Sequence, residues 1–293
     1  MEFVATGRHR WLPSEAVMTS AHSYLRSNAP KIADSMVEIA TKSFVASAWS
    51  TEKPASTAPI SVEDLHRSTE DLAKAAVLVV EDLSSDGNFI RALAKIFNRT
   101  VITEALTKRW LVIRHSGGER LEVVARDERQ NFNNIVRVVA LLDSDKWTSN
   151  LRTKSHNKAD RLRRQGVKVH VLDMREAENY APNKILALCG NPAESSRKLG
   201  HLKRLDREQR AHFDMKHGFG QVNRPPTIRE EQKVLYGSLP DSTVKGLRGG
   251  FGTQILRIFE EHSHIVREIH FEDPAIGARK EINELLLKIQ EVL

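Results

Sequence analysis

The chain has 293 residues, 40% of them hydrophobic and 28% charged, a size and balance that suit one large soluble domain or two modest ones. Its net charge of +7 at pH 7 favours polyanionic partners through steering and counterion release. A single cysteine, Cys189, excludes an intramolecular disulfide and CxxC-type zinc sites, and no apolar run approaches the roughly 20 residues needed to cross a bilayer.

Residues 1–74 read as a polar, helical N-terminal region. Met1 to Arg10 are not followed by a long apolar stretch, so no signal peptide is expected and the cytoplasm is the default location. Helical spacing covers Thr19–Asn28 and Pro30–Trp49, the second carrying Ile32, Met36, Ile39 and Phe44. Thr51–Pro59 is rich in Pro, Ser, Thr and Ala and reads as a linker over 51–60. A further helix is expected from Val62 to Lys74.

From Ala75 the texture changes. Short apolar runs at Val77–Val80, Leu111–Ile113, Leu121–Val124, Ile135–Leu142 and Val167–Leu172 have the length and β-branched content of strands. Helical patterns lie between several of them: Phe89, Leu93, Ile96 and Phe97 share a face, and Lys154–Gln165 is a basic helix. This alternation predicts an α/β fold for 75–183, with a mainly parallel sheet flanked by helices. Residues 184–293 form a helical C-terminal region. It closes in two amphipathic helices, one with Ile255, Ile258, Phe259, Ile265 and Ile269, the other with Ile282, Leu285, Leu286, Ile289 and Leu293. Each stripe is core or a dimer face.

Acidic groups stand where strands end: Glu81-Asp82 with Asp86, then Asp143-Ser144-Asp145, then Asp173 to Tyr180. The carboxyl ends of strands line the ligand crevice of an α/β sheet, and acidic residues are rarely buried unpaired. Spacing of two on extended backbone puts Asp143 and Asp145 on one side. Convergent carboxylates repel unless a cation neutralises them, and oxygen ligands suit Mg²⁺ or Mn²⁺. Taken alone, Asp-Ser-Asp also reads as a turn or a helix cap.

The order of apolar strand, Glu81, helix, apolar strand and Asp143-x-Asp145 resembles a Toprim domain, the fold shared by topoisomerases, bacterial primases and overcoming-lysogenization-defect nucleases. Arg175-Glu176-Ala177-Glu178-Asn179-Tyr180 is similar to an Arg-Glu-x-Glu-Asn-Tyr signature of Toprim-like proteins in bacterial defence systems. The resemblance spans roughly Ala75–Asn183. It departs from the family's Glu-Gly-x-x-Asp, since Asp82 replaces the glycine and Asp86 comes five residues after Glu81. That puts Asp86 in doubt as a ligand.

The resemblance implies Asp143 and Asp145 as metal ligands, Glu81 as ligand or general acid/base, and Glu178 as a further ligand, with Glu176 set aside as a partner for Arg175. It implies a Mg²⁺- or Mn²⁺-dependent nuclease acting on DNA or RNA, and a separate ATPase or sensor protein as partner in antiviral defence. Lys216, in Phe213–Gly220, is the candidate cation for the phosphoryl charge. Lys154, Lys158, Arg161, Arg163 and Arg164 follow the acidic strand and could hold a phosphate backbone; Arg197–Arg210 is a second basic stretch. Two alternatives stay open. One is a non-catalytic Toprim-like assembly module. The other is a phosphoacceptor, because Val77–Asp82 also resembles the first strand of response-regulator receivers, although Val167–Leu172 is followed by Asp173 and Met174 rather than Lys.

Overall fold

The computed structural model describes residues 2–11, 14–49, 60–61, 63–275 and 277–293. The predicted linker lies outside them, except for Ile60. Four strands, β1 (Ala76–Val80), β2 (Leu111–His115), β3 (Val138–Leu142) and β4 (Lys168–Val171), form one parallel sheet in the order β2-β1-β3-β4. β1 and β3 are buried along their whole length. That explains their unbroken apolar runs, because a strand covered on both faces has no polar side to alternate with.

Two apolar layers cover the sheet. Ala76, Leu78, Val80, Val139 and Leu141 face a core built with Phe89, Leu93 and Ile102 from the helices Asp86–Ile96 and Thr100–Thr107. Val77, Val79, Val138, Ala140 and Leu142 face Leu121, Ala125, Ala159 and Leu162 of the helices Leu121–Gln130 and Lys154–Arg164. Residues 185–292 join the first layer through Leu186, Phe213, Phe259 and Leu286, so the C-terminal region shares its core.

Two expectations are corrected. Leu121–Val124 is the start of a helix, whose buried Leu121 and Ala125 are four residues apart on one face. The stripe from Ile255 to Ile269 is not one helix: it stops at Glu261 and continues as short 3-10 turns. Of the two C-terminal stripes, expected as core or dimer face, Ile255, Phe259, Ile282, Leu285, Leu286 and Ile289 are core, while Ile265 and Ile269 are exposed. Among the described residues no helix is long and apolar enough to cross a membrane.

A carboxylate pins the sheet's N-terminal side. Asp71, fully buried in the helix Leu65–Ala73, accepts the backbone N–H groups of Asn133 (3.0 Å), Asn134 (2.7 Å) and Ile135 (2.9 Å) ahead of β3. Burial pushes its carboxyl up, but those N–H groups outweigh it and hold it below the usual range. A depressed carboxylate stabilises fully above its unfolded value, about 3.9, and loses that contribution as pH falls through the folded value. Asp71→Ala leaves three donors unpaired and is expected to cost about 3 kcal/mol at neutral pH, read as a lower denaturant midpoint at unchanged slope.

Candidate active site

β1 and β3 are neighbours, yet the chain leaves β1 towards β2 and then crosses back over β1 to reach β3. The crevice between their carboxyl ends is therefore the switch point, where parallel α/β sheets bind ligands. Glu81 follows β1 there and Asp143 follows β3. Asp86 opens the next helix, and its Oδ2 accepts the N–H groups of Glu81 and Asp82, both at 3.0 Å.

These carboxylates crowd one another. Burial raises Asp143 well above the ordinary carboxylate range, and Asp86, Glu178, Glu176 and Glu81 raise it further. Burial, then Asp145 and Asp86, push Glu81 up to about 7, although Lys158 and Lys216 pull it down. Asp86 is also raised, chiefly by burial, against the lowering effect of the two N–H groups. Each group is costly to ionise alone, and more so beside the others.

Every residue of 175–180 has a structural task. Arg175 Nε meets Glu176 Oε1 at 2.7 Å. The N–H of Ala177 donates to Asp143 Oδ1 at 3.0 Å. Glu178, buried and raised by that burial, lies 3.1 Å from Lys216 Nζ, and Glu176 Oε2 is equally close. Asn179 Nδ2 donates to the carbonyls of Arg210 (3.0 Å) and Phe213 (2.9 Å). The Tyr180 hydroxyl donates to Glu281 Oε2 and accepts from Met174 N at 3.1 Å. The segment is thus a buried scaffold as well as a source of carboxylates.

Burial works against the charge of Lys216, but Glu178, Glu176 and Asp143 outweigh it and hold the ammonium above its usual range. Two glycines let its loop pack. A Cβ on Gly218 would lie 1.9 Å from the Leu247 carbonyl oxygen, and one on Gly250 would lie 2.6 Å from the Lys216 backbone, both at positive φ. The glycine-rich segment 246–252 therefore backs Lys216, with Phe251 N donating to Met215 O and Gly252 N to Lys216 O.

Asp145 departs from expectation. Its φ is +54°, so Asp143 and Asp145 do not sit on continuous extended backbone. The turn is held by Asp145 N to Arg175 O (3.0 Å) and by Ser144 Oγ to Met174 O (2.7 Å). Asp145 is exposed at the rim, and its Oδ2 accepts from Ser155 Oγ at 3.2 Å. Asp86, doubted on spacing, is brought into the cluster. Trp147 escaped the sequence reading; Arg175 and Arg229 lie over its ring, 3.5 and 4.4 Å from the centroid. No local signal joins Trp147 to Arg229, because the contact spans 82 positions (229 − 147).

The basic helix is partly self-satisfied. Arg161 makes a two-pronged pair with Glu122 (2.6 and 2.7 Å), Arg163 meets Asp160 at 3.1 Å, and Arg164 Nε donates to the Asp160 carbonyl. Lys154 and Lys158 have no ion-pair partner among the described residues, and Lys158 acts on Glu81. These are rim contacts, and surface pairs of this kind are weak.

An all-carboxylate donor set suits a hard divalent cation. Among the described residues, no three His, Cys, Asp or Glu side chains are gathered into a ready-made metal group. The fit to Mg²⁺ or Mn²⁺ is thus one of charge and donor type: Asp143, Glu81, Asp86 and Glu178 repel one another, and a cation would relieve that repulsion. The fold and the site together define a parallel α/β protein with an acidic cluster at its switch point. Comparison with family models, with curated proteins and with solved structures yields no match.

Proposed function

We propose that the chain is a Mg²⁺- or Mn²⁺-dependent nuclease of Toprim type, cutting phosphodiester bonds of DNA or RNA at this cluster. The observation that carries the reading is the placing of Glu81 and Asp143 at the carboxyl ends of neighbouring β1 and β3, with Asp86 and Glu178 near enough to raise Asp143. Asp143 and Glu178 would hold the ion, with Asp145 on the rim and Asp86 close by, and Glu81 would either join them or act as general acid/base. A bound divalent ion would lower the pKa of water and neutralise charge on the phosphate oxygens. Glu81, near 7, is matched to taking a proton from water or returning one at neutral pH. Lys216 adds fixed positive charge beside Asp143, where negative charge grows in the transition state. Lys154 and Lys158 would hold the phosphate backbone beside the site. A separate ATPase or sensor protein is the partner that the resemblance alone supplies.

The test is cleavage of labelled duplex DNA, single-stranded DNA and RNA with Mg²⁺ or Mn²⁺, with and without EDTA, alongside Mn²⁺ affinity by calorimetry. A raised carboxylate must lose its proton to ligate, and Asp143 and Glu178 are raised as well as Glu81, so affinity should climb steadily as pH rises through neutrality. Glu81→Gln should make that rise shallower and abolish cleavage. Activity that persists in EDTA, or in Glu81→Gln, sinks the proposal.

A further inference from the structure

The second basic stretch, Arg197–Arg210, takes no part in the acidic cluster, yet it holds an unexplained group. Arg210 is 5% exposed. Its Nε and Nη2 are buried and have no hydrogen-bond partner among the described residues. A guanidinium remains charged at neutral pH, and a buried one without partners is costly. Asp273 is the opposing charge that acts on it, electrostatically and without an ion pair.

Arg210 lines a cavity of about 310 Å³, together with Asn183, Lys203, Asp206, Arg207 and Asp273. Three cations therefore face two carboxylates. Asp206 is already committed, since its Oδ1 accepts from Gln209 N at 2.8 Å. Lys203 and Arg207 are exposed at the mouth. Asn183 adds a second unanswered group: its Oδ1 is buried without a partner, so it wants a donor. The lining thus offers three cations to an oxyanion and, beside them, Asn183 to a hydroxyl or N–H. Its volume lies at the small end of ligand pockets.

We propose that this cavity binds a terminal phosphate monoester that carries a neighbouring hydroxyl or N–H donor. A free mononucleotide and the phosphorylated 5′ end of a strand share that chemistry. The inference does not rest on the nuclease reading. The two sites do share a wall, because Asn179, next to Glu178, donates to the Arg210 carbonyl.

The experiment is calorimetric titration of the full chain in EDTA, which silences phosphate binding through metal. The probes are adenosine 5′-monophosphate, adenosine, and one oligonucleotide with either a 5′-phosphate or a 5′-hydroxyl. Phosphate-dependent binding is expected, weakened at least tenfold by Arg210→Gln, by Lys203→Ala and by Arg207→Ala. It should be unchanged by Arg257→Ala, an exposed cation elsewhere. The two mouth variants keep the test readable if Arg210→Gln does not fold. Binding of the phosphorylated strand alone identifies a strand end, and binding of the mononucleotide identifies a free nucleotide; either supports the site. No binding of either phosphate, equal binding of adenosine, or indifference to Lys203→Ala and Arg207→Ala overturns it.

Discussion

On the proposed nuclease reading, Asp143→Asn is expected to lower cleavage by about 100- to 1,000-fold, while making the metal-free protein more stable at pH 8. The two effects have one origin. Burial and the carboxylates of Asp86, Glu178, Glu176 and Glu81 raise Asp143 in the folded chain. The native state therefore holds a proton that the unfolded chain releases, and native stability falls as pH climbs above the ordinary Asp value, about 3.9. Asparagine carries no charge, and its side-chain oxygen can still accept the Ala177 N–H. The variant's advantage should be absent near pH 4, grow towards pH 8, and shrink when Mn²⁺ stabilises the wild type. For domains of this order of size, each kcal/mol of relief raises Tm by roughly 2–4 °C. Thermal melts in EDTA across that pH range check the prediction. A variant that melts below wild type at pH 8 would mean that the carboxylate is a structural anchor and not a ligand held in wait.

Lys216→Met should have the opposite sign. The ammonium is 28% exposed, but Glu176 and Glu178 are 9% and 4% exposed, and each is 3.1 Å away. Removing a shared cation strands two buried charges, which costs about 3 kcal/mol. The folded value of Lys216 lies above its ordinary one, so its contribution is complete below the unfolded value, about 10.4, and is lost only as pH rises past the folded value. Neutral-pH denaturation therefore reads it in full. Glu178→Gln in the same chain should recover at least about 1 kcal/mol, because one stranded charge is gone. If the single variant costs under about 0.5 kcal/mol, or the second substitution recovers nothing, Lys216 is a solvated rim lysine.

The contrast between Leu121–Val124 and β1 shows how far local pattern reaches. Both are short apolar runs. β1 is buried on both faces and reads as a strand. Leu121-Glu-Val-Val looks similar over four positions, and only the burial of Ala125 with Leu121 marks the helix. Apolar runs this short carry too few turns to separate the two periods. Asp145 is the same lesson within a site: spacing of two predicts a shared side only if the backbone is extended, and its φ of +54° is set by the Arg175 carbonyl, 30 residues on (175 − 145).

What the sequence by itself determined is the α/β class, β1 and β3 as buried strands, and Glu81 and Asp143 at their carboxyl ends. These depend on hydrophobic runs and on the cost of burying an unpaired acid, both written locally. The tertiary structure alone decided the strand order that makes β1 and β3 neighbours at the switch point. It also decided the arrival of Lys216 between Glu176 and Glu178, the return of Asp86 to the cluster, and the unpaired Arg210 in its cavity. Those pairings join distant parts of the chain, and they exist because two apolar layers close on one sheet and bring polar groups to its edge, which no local periodicity records.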